Sequence, residues 1–96
     1  MEERPSGLDV TVRVRRDRLD MFLRLTAFLP SEFLDDDGES EWATVRLTYG
    51  LLPETRQLLV FGDQVEVLSP PRVREELARA AASVTELYQR SGEAPG

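Results

Sequence analysis

Apolar and polar positions strictly alternate in two stretches of the chain. In Leu8–Arg15, Leu8, Val10, Val12 and Val14 face one way and Asp9, Thr11, Arg13 and Arg15 the other. In Trp42–Tyr49, Ala43, Val45, Leu47 and Tyr49 oppose Trp42, Thr44, Arg46 and Thr48. A period of two with β-branched residues predicts strands with one buried face. A shorter pattern, Gln64–Leu68, predicts another strand with Val65 and Val67 inward. Ser31–Asp36 is weaker: Phe33 and Leu34 fit a short strand before the turn dipeptide Asp37-Gly38.

Between these stretches the period lengthens. Asp17 is placed to cap a helix, with Leu19, Phe22, Leu23, Phe28 and Leu29 as its stripe and Pro30 as its end. Gly50–Gly62 reads as a loop followed by a helix. Pro53 suits its first turn, Leu58, Leu59 and Phe61 supply apolar contacts, and Gly62 suits a left-handed residue after it. Pro70 and Pro71 open the last helix. There Val73, Leu77, Ala80, Val84 and Leu87 recur at spacings of four and three, a heptad-like stripe.

This order predicts an α+β fold: a two-layer ferredoxin-like βαββαβ sandwich with an added C-terminal helix. A single domain is expected over 8–90, with flexible tails at 1–7 and 91–96. The length of 96 residues suits one small domain with a modest core.

Composition then narrows the chemistry. All 12 basic residues are Arg, and there is no Lys, His or Cys. That removes disulfides, thiolate and imidazole ligands, His-assisted triads, Schiff bases and Walker-type phosphate lysines. No enzyme activity and no cofactor are expected. Glu75 and Glu76 read as acids favouring the positive end of the last helix. The acidic run from Asp35 to Glu41 does not fit a calcium loop. With Gly38 as its sixth position, Phe33 and Thr44 would occupy ligand positions that need acids. No apolar run suits a membrane span and the N-terminus has no signal-peptide core, so a cytoplasmic location is expected.

The net charge of -6 is localised. Residues 1–30 carry +1, residues 31–45 carry -6 with no Arg, and residues 46–96 carry -1. Acidity argues against a whole-surface nucleic-acid binder but leaves room for a local Arg face.

From Leu58 to Tyr88 the order of features resembles the C-terminal extension of bacterial WYL-domain transcriptional regulators. The matching positions are Phe61-Gly62, Val65-Glu66-Val67-Leu68, Pro70-Pro71, Val73-Arg74, Leu77 and Tyr88. Upstream, a Val-x-Val-Arg strand, a helix and an acidic turn extend the resemblance to about Val10. The chain has no Trp-Tyr-Leu sequence and no helix-turn-helix segment, so it resembles the extension alone. The resemblance implies a ferredoxin-like accessory domain beside a ligand-sensing WYL domain. DNA contact would come only indirectly, through an N-terminal domain absent from this sequence.

Two groups of residues are candidates for function. Arg13, Arg15 and Arg46 would share the open sheet face, among Thr11, Thr44 and Thr48. They would meet an anionic effector, which on the resemblance includes a nucleic-acid strand or nucleotide, or a companion domain. The alternative is a solvated face with Glu66 neutralising an Arg across strands. The last helix, through Val73, Leu77, Val84, Leu87 and Tyr88, would pack on its own sheet, form a homodimer or dock onto a companion WYL domain. Trp42 reads as a core-edge residue or as a partner-surface anchor. The expected role is regulatory. A stand-alone protein-interaction module of the same fold and a small-ligand sensor are the alternatives.

Overall fold

The computed structural model describes residues 7–35 and 40–93. Four strands form one antiparallel sheet: β1 (Leu8–Arg15), β2 (Ser31–Asp35), β3 (Trp42–Tyr49) and β4 (Val65–Ser69). Their order across the sheet is β2-β3-β1-β4. The weak strand is therefore real, and it lies at one edge. The helices are α1 (Leu19–Leu25) and α2 (Pro71–Glu93). A 3-10 turn (Arg16–Arg18) precedes α1, and a 3-10 segment (Leu52–Gln64) joins β3 to β4.

The alternation places the core. Val10, Val12 and Val14 of β1 and Ala43, Val45, Leu47 and Tyr49 of β3 are all buried on one face. Phe22 of α1, Leu58 and Phe61 of the 3-10 segment, Val67 of β4 and Val73 of α2 pack with them. Phe22 and Phe61 meet as tilted rings, centroids 5.2 Å apart. The strand residues between the buried ones form the outer face.

Three expectations need correction. The helix between β1 and β2 starts later and ends earlier than the sequence suggests. Arg16 donates to Ser40 O at 2.8 Å and to Trp42 O at 3.3 Å, and the chain turns there in 3-10 form. Asp17 falls inside that turn, and α1 starts without a side-chain cap. At the other end Thr26 takes up the carbonyl of Phe22 with both its amide and its hydroxyl, and α1 stops there. Phe28 lies beyond it and is exposed, whereas Leu29 still packs on the core.

The helix expected before Gly62 is 3-10, not α. Its core contacts show why. Thr55, Leu58 and Phe61 are buried and Leu52 is partly buried, each three residues after the last. A spacing of three brings one residue per 3-10 turn onto the sheet. Glu54 Oε1 fixes the start, accepting from Gly50 N at 3.1 Å and Leu51 N at 3.2 Å. Gly62 has φ 60° and ψ -130°. Its φ is positive, as expected, but its ψ lies outside the left-handed helical region.

Trp42 is not at the core edge. It sits half-exposed on the outer face of β3. Of the expected tails 1–7 and 91–96, Gly7 is described and α2 runs on to Glu93, while residues 1–6 and 94–96 fall outside the described residues, as do residues 36–39 of the acidic turn.

Candidate binding face and docking helix

The register of β1 on β3 pairs Thr11 with Arg46, Arg13 with Thr44 and Arg15 with Trp42. Since Val12 and Val45 point into the core from the same ladder, Arg13, Arg15 and Arg46 all point outward. The structure thus brings the three arginines to one face. It also gives each a carboxylate. Arg13 Nε donates to Glu66 Oε1 at 2.7 Å, and Arg46 Nη2 donates to Glu32 Oε1 at 2.8 Å. Arg15 Nη1 reaches Glu41 Oε1 at 3.3 Å. The Glu32 hydrogen bond, then its charge, raises the Arg46 pKa above its ordinary value. Thr48 Oγ1 donates to Asp9 Oδ1 at 2.9 Å beside it.

The Trp42 ring belongs to the same constellation. The guanidinium carbons of Arg13 and Arg15 lie 4.2 and 5.2 Å from its centre. Alternation along β1 makes this possible, because Arg15 lies directly opposite Trp42 and Arg13, two residues away on the same face, is its diagonal neighbour. An incoming phosphate or carboxylate would exchange with Glu32, Glu41 or Glu66 and would not meet bare cations. The pairs are partly exposed, so each exchange is inexpensive. At one end of the face, Arg15, Arg16, Asp17, Ser40 and Glu41 line a cleft of about 410 Å³.

The residues of α2 divide into two sets. Val73 is buried and Leu77 half-buried against the fold. Val84, Leu87 and Tyr88 are 47%, 53% and 69% exposed. The stripe therefore leaves the fold in its second half. Leu59, Gly62, Asp63, Ala81, Val84 and Thr85 line a groove of about 440 Å³ beside it.

Sequence reasoning missed two residues. Arg16 follows the last alternating position of β1 and ties it to the chain entering β3; its one signal was adjacency to the strand. Glu76 reads as a helix-terminus acid, yet its carboxylate is buried and bridges Arg56 and Arg79. Its signal was its place on the apolar side of α2, one residue before Leu77. Among the described residues, no group of three His, Cys, Asp or Glu side chains is arranged to hold a metal ion. Nor is any described helix long and apolar enough to cross a membrane.

Compared with known proteins, residues 6–85 match the family model described as WCX domain. No curated protein matches the chain.

Proposed function

Because the chain belongs to the WCX family, the C-terminal domain associated with WYL-type regulators, we propose that it is a non-catalytic accessory domain of a bacterial transcriptional regulator. Its task is to dimerise the regulator or to help form its effector site, and its place is the cytoplasm. The observation that carries this reading is the family match across 6–85, which spans all four strands and most of α2. The ferredoxin-like assignment is supported by the strand order β2-β3-β1-β4 and by two crossovers. Each crossover skips one strand: β1 to β2 across β3, and β3 to β4 across β1. The lack of Lys, His and Cys supports the non-catalytic role.

Effector binding acts by favouring one arrangement of subunits over another, which repositions distant DNA-binding domains. Arg13, Arg15 and Arg46 are the residues for effector or interdomain contact. Val84, Leu87 and Tyr88 are those for dimerisation or for docking onto a companion WYL domain, with Val73 and Leu77 anchoring α2. The test compares the isolated chain with a full-length regulator that contains it. Short single-stranded DNA and anionic nucleotides are titrated into both, with and without Arg13→Ala plus Arg46→Ala. Light scattering follows Val84→Glu plus Leu87→Glu. Effector binding weakened by the first pair, or a dimer dissociated by the second, supports the reading. Unchanged binding and unchanged mass for both pairs would sink it.

A further inference from the structure

The two edges of the sheet are treated differently. At β4, Arg74 of α2 donates to the main-chain carbonyl of Val67 at 2.9 Å and lies 3.8 Å from Glu66. A charged side chain laid over an edge in this way blocks further strand pairing. At β2 no described residue does so.

The main-chain groups that β2 leaves free follow from its register. Ser31 lies opposite Leu47 and Glu32 opposite Arg46. Thr48 N donates to Pro30 O at 3.1 Å, so Pro30 and Glu32 turn their main-chain groups toward β3. Ser31 and Phe33 turn theirs outward, where among the described residues nothing pairs with them. Phe33 shares the row of buried Val45, on the helix side of the sheet, yet is 47% exposed. Leu34, at the irregularity that follows, is also exposed. β2 is short, acidic and irregular after Phe33, which disfavours pairing with a like-charged strand. No described side chain from another element lies over its free edge at Ser31–Phe33, however, and an edge so left with an uncovered aromatic is a template for strand addition.

Charge selects the occupant. The sequence of β2 is Ser-Glu-Phe-Leu-Asp, and the stretch 31–45 around it has six acids and no base. Glu32 gives Oε1 to Arg46, and among the described residues no partner is seen for its Oε2. An added antiparallel strand sets the residue opposite Phe33 on the helix-side face and the residue opposite Glu32 on the outer face. An apolar side chain fits the first position and a Lys or Arg the second. A second copy of β2 would bring its own acids and no base, so self-pairing fits poorly.

We propose that the free edge of β2 captures an extended protein segment in which apolar residues alternate with Arg or Lys. The segment becomes a fifth strand, held by the outward amides and carbonyls of Ser31 and Phe33. This surface is independent of the regulator reading and lies at the opposite sheet edge from β4.

The test is amide hydrogen exchange, followed by NMR on the whole chain. The probe is an acetylated, amidated Arg-Val-Arg-Val-Arg-Val peptide, with Glu-Val-Glu-Val-Glu-Val as its opposite-charge counterpart. The basic peptide is expected to slow exchange at Ser31 and Phe33 by about tenfold or more, because pairing removes their free amides from water. The acidic peptide leaves both rates unchanged. Phe33→Lys guards the edge and weakens binding of the basic peptide by about tenfold. No slowing with the basic peptide, equal slowing with the acidic one, or unchanged affinity in Phe33→Lys overturns the proposal. Protection without peptide that grows with protein concentration also overturns it, in favour of a second copy. If Phe33→Lys fails to fold, the comparison of the two peptides on the unaltered chain decides alone.

Discussion

Glu76 Oε2 lies 2.6 Å from Arg56 Nε, and this contact ties α2 to the 3-10 segment. The same carboxylate takes Arg79 Nη1 at 2.9 Å through its other oxygen, while its side chain is only 5% exposed. Both guanidinium groups are more than half exposed. The carboxylate is thus the desolvated member and the arginines the replaceable ones. Glu76→Ala is expected to destabilise the fold by about 2 kcal/mol, since it leaves a buried gap and two unpaired cations. Arg79→Ala is expected to cost less than about 1 kcal/mol, because Arg56 still satisfies the acid. Urea unfolding of the two variants measures the difference. Equal costs would mean that burial of Glu76 contributes nothing.

Gly62 carries φ 60° with ψ -130°, a conformation essentially confined to glycine, and a Cβ built there meets nothing within 4 Å. The cost of a side chain is therefore conformational, not steric against neighbours. Gly62→Ala is expected to lower stability by about 1–3 kcal/mol. Val60→Ala, two residues earlier and well exposed, is expected to stay within about 0.5 kcal/mol. Thermal melts of both variants check this. A Gly62→Ala melt equal to that of the unaltered chain would show that the turn relaxes freely.

The strands were legible in the sequence because burial of one face writes itself as alternation. Val10, Val12 and Val14 against Thr11, Arg13 and Arg15 leave no second interpretation. The connection between β3 and β4 was not legible as a 3-10 segment. Leu58, Leu59 and Phe61 fit an α-helical stripe as well as a spacing of three, and only Thr55, a polar residue that the core buries, separates the two. The arginine face was legible through strand parity. Its glutamates were legible only in part, since Glu66 follows from parity on β4, whereas the Glu32 and Glu41 pairings depend on the course of β2 and the turn. The Glu76 clasp depends on how α2 lies against the 3-10 segment, which no local pattern encodes.

Trp42 is the only tryptophan, and Arg13 lies over its ring. Its fluorescence therefore reports the outer face directly. Arg13→Ala removes the guanidinium cover and is expected to shift the emission to longer wavelength. The stability change is expected to stay below about 1 kcal/mol, because Arg13 and Glu66 are both about two-fifths exposed. Arg46→Ala removes a cation that pairs with Glu32 and is not stacked over the ring, and its emission is expected to match that of the unaltered chain. A shift in both variants would mean that the face rearranges as a unit.

Tyr49 is buried at the end of β3, with its hydroxyl donating to Gln57 Oε1 at 2.8 Å. Gln57 Nε2 in turn donates to Leu25 O at 3.3 Å, so the phenol connects the sheet to the end of α1 through one side chain. Burial, and then the charge of Glu54, pushes the phenol well above its ordinary value of 10.0. A group with a raised folded pKa stabilises the fold fully below its unfolded value and loses that contribution as pH climbs. Stability is therefore expected to be insensitive to Tyr49 near neutrality. Above about pH 10 it should fall by up to about 1.4 kcal/mol per pH unit from this group. Tyr49→Phe is expected to cost about 1 kcal/mol at neutral pH through the lost hydrogen bond, and to flatten the alkaline decline. Urea midpoints measured from neutral pH to pH 11 test both parts. A variant whose alkaline decline parallels that of the unaltered chain would overturn the assignment of that loss to Tyr49.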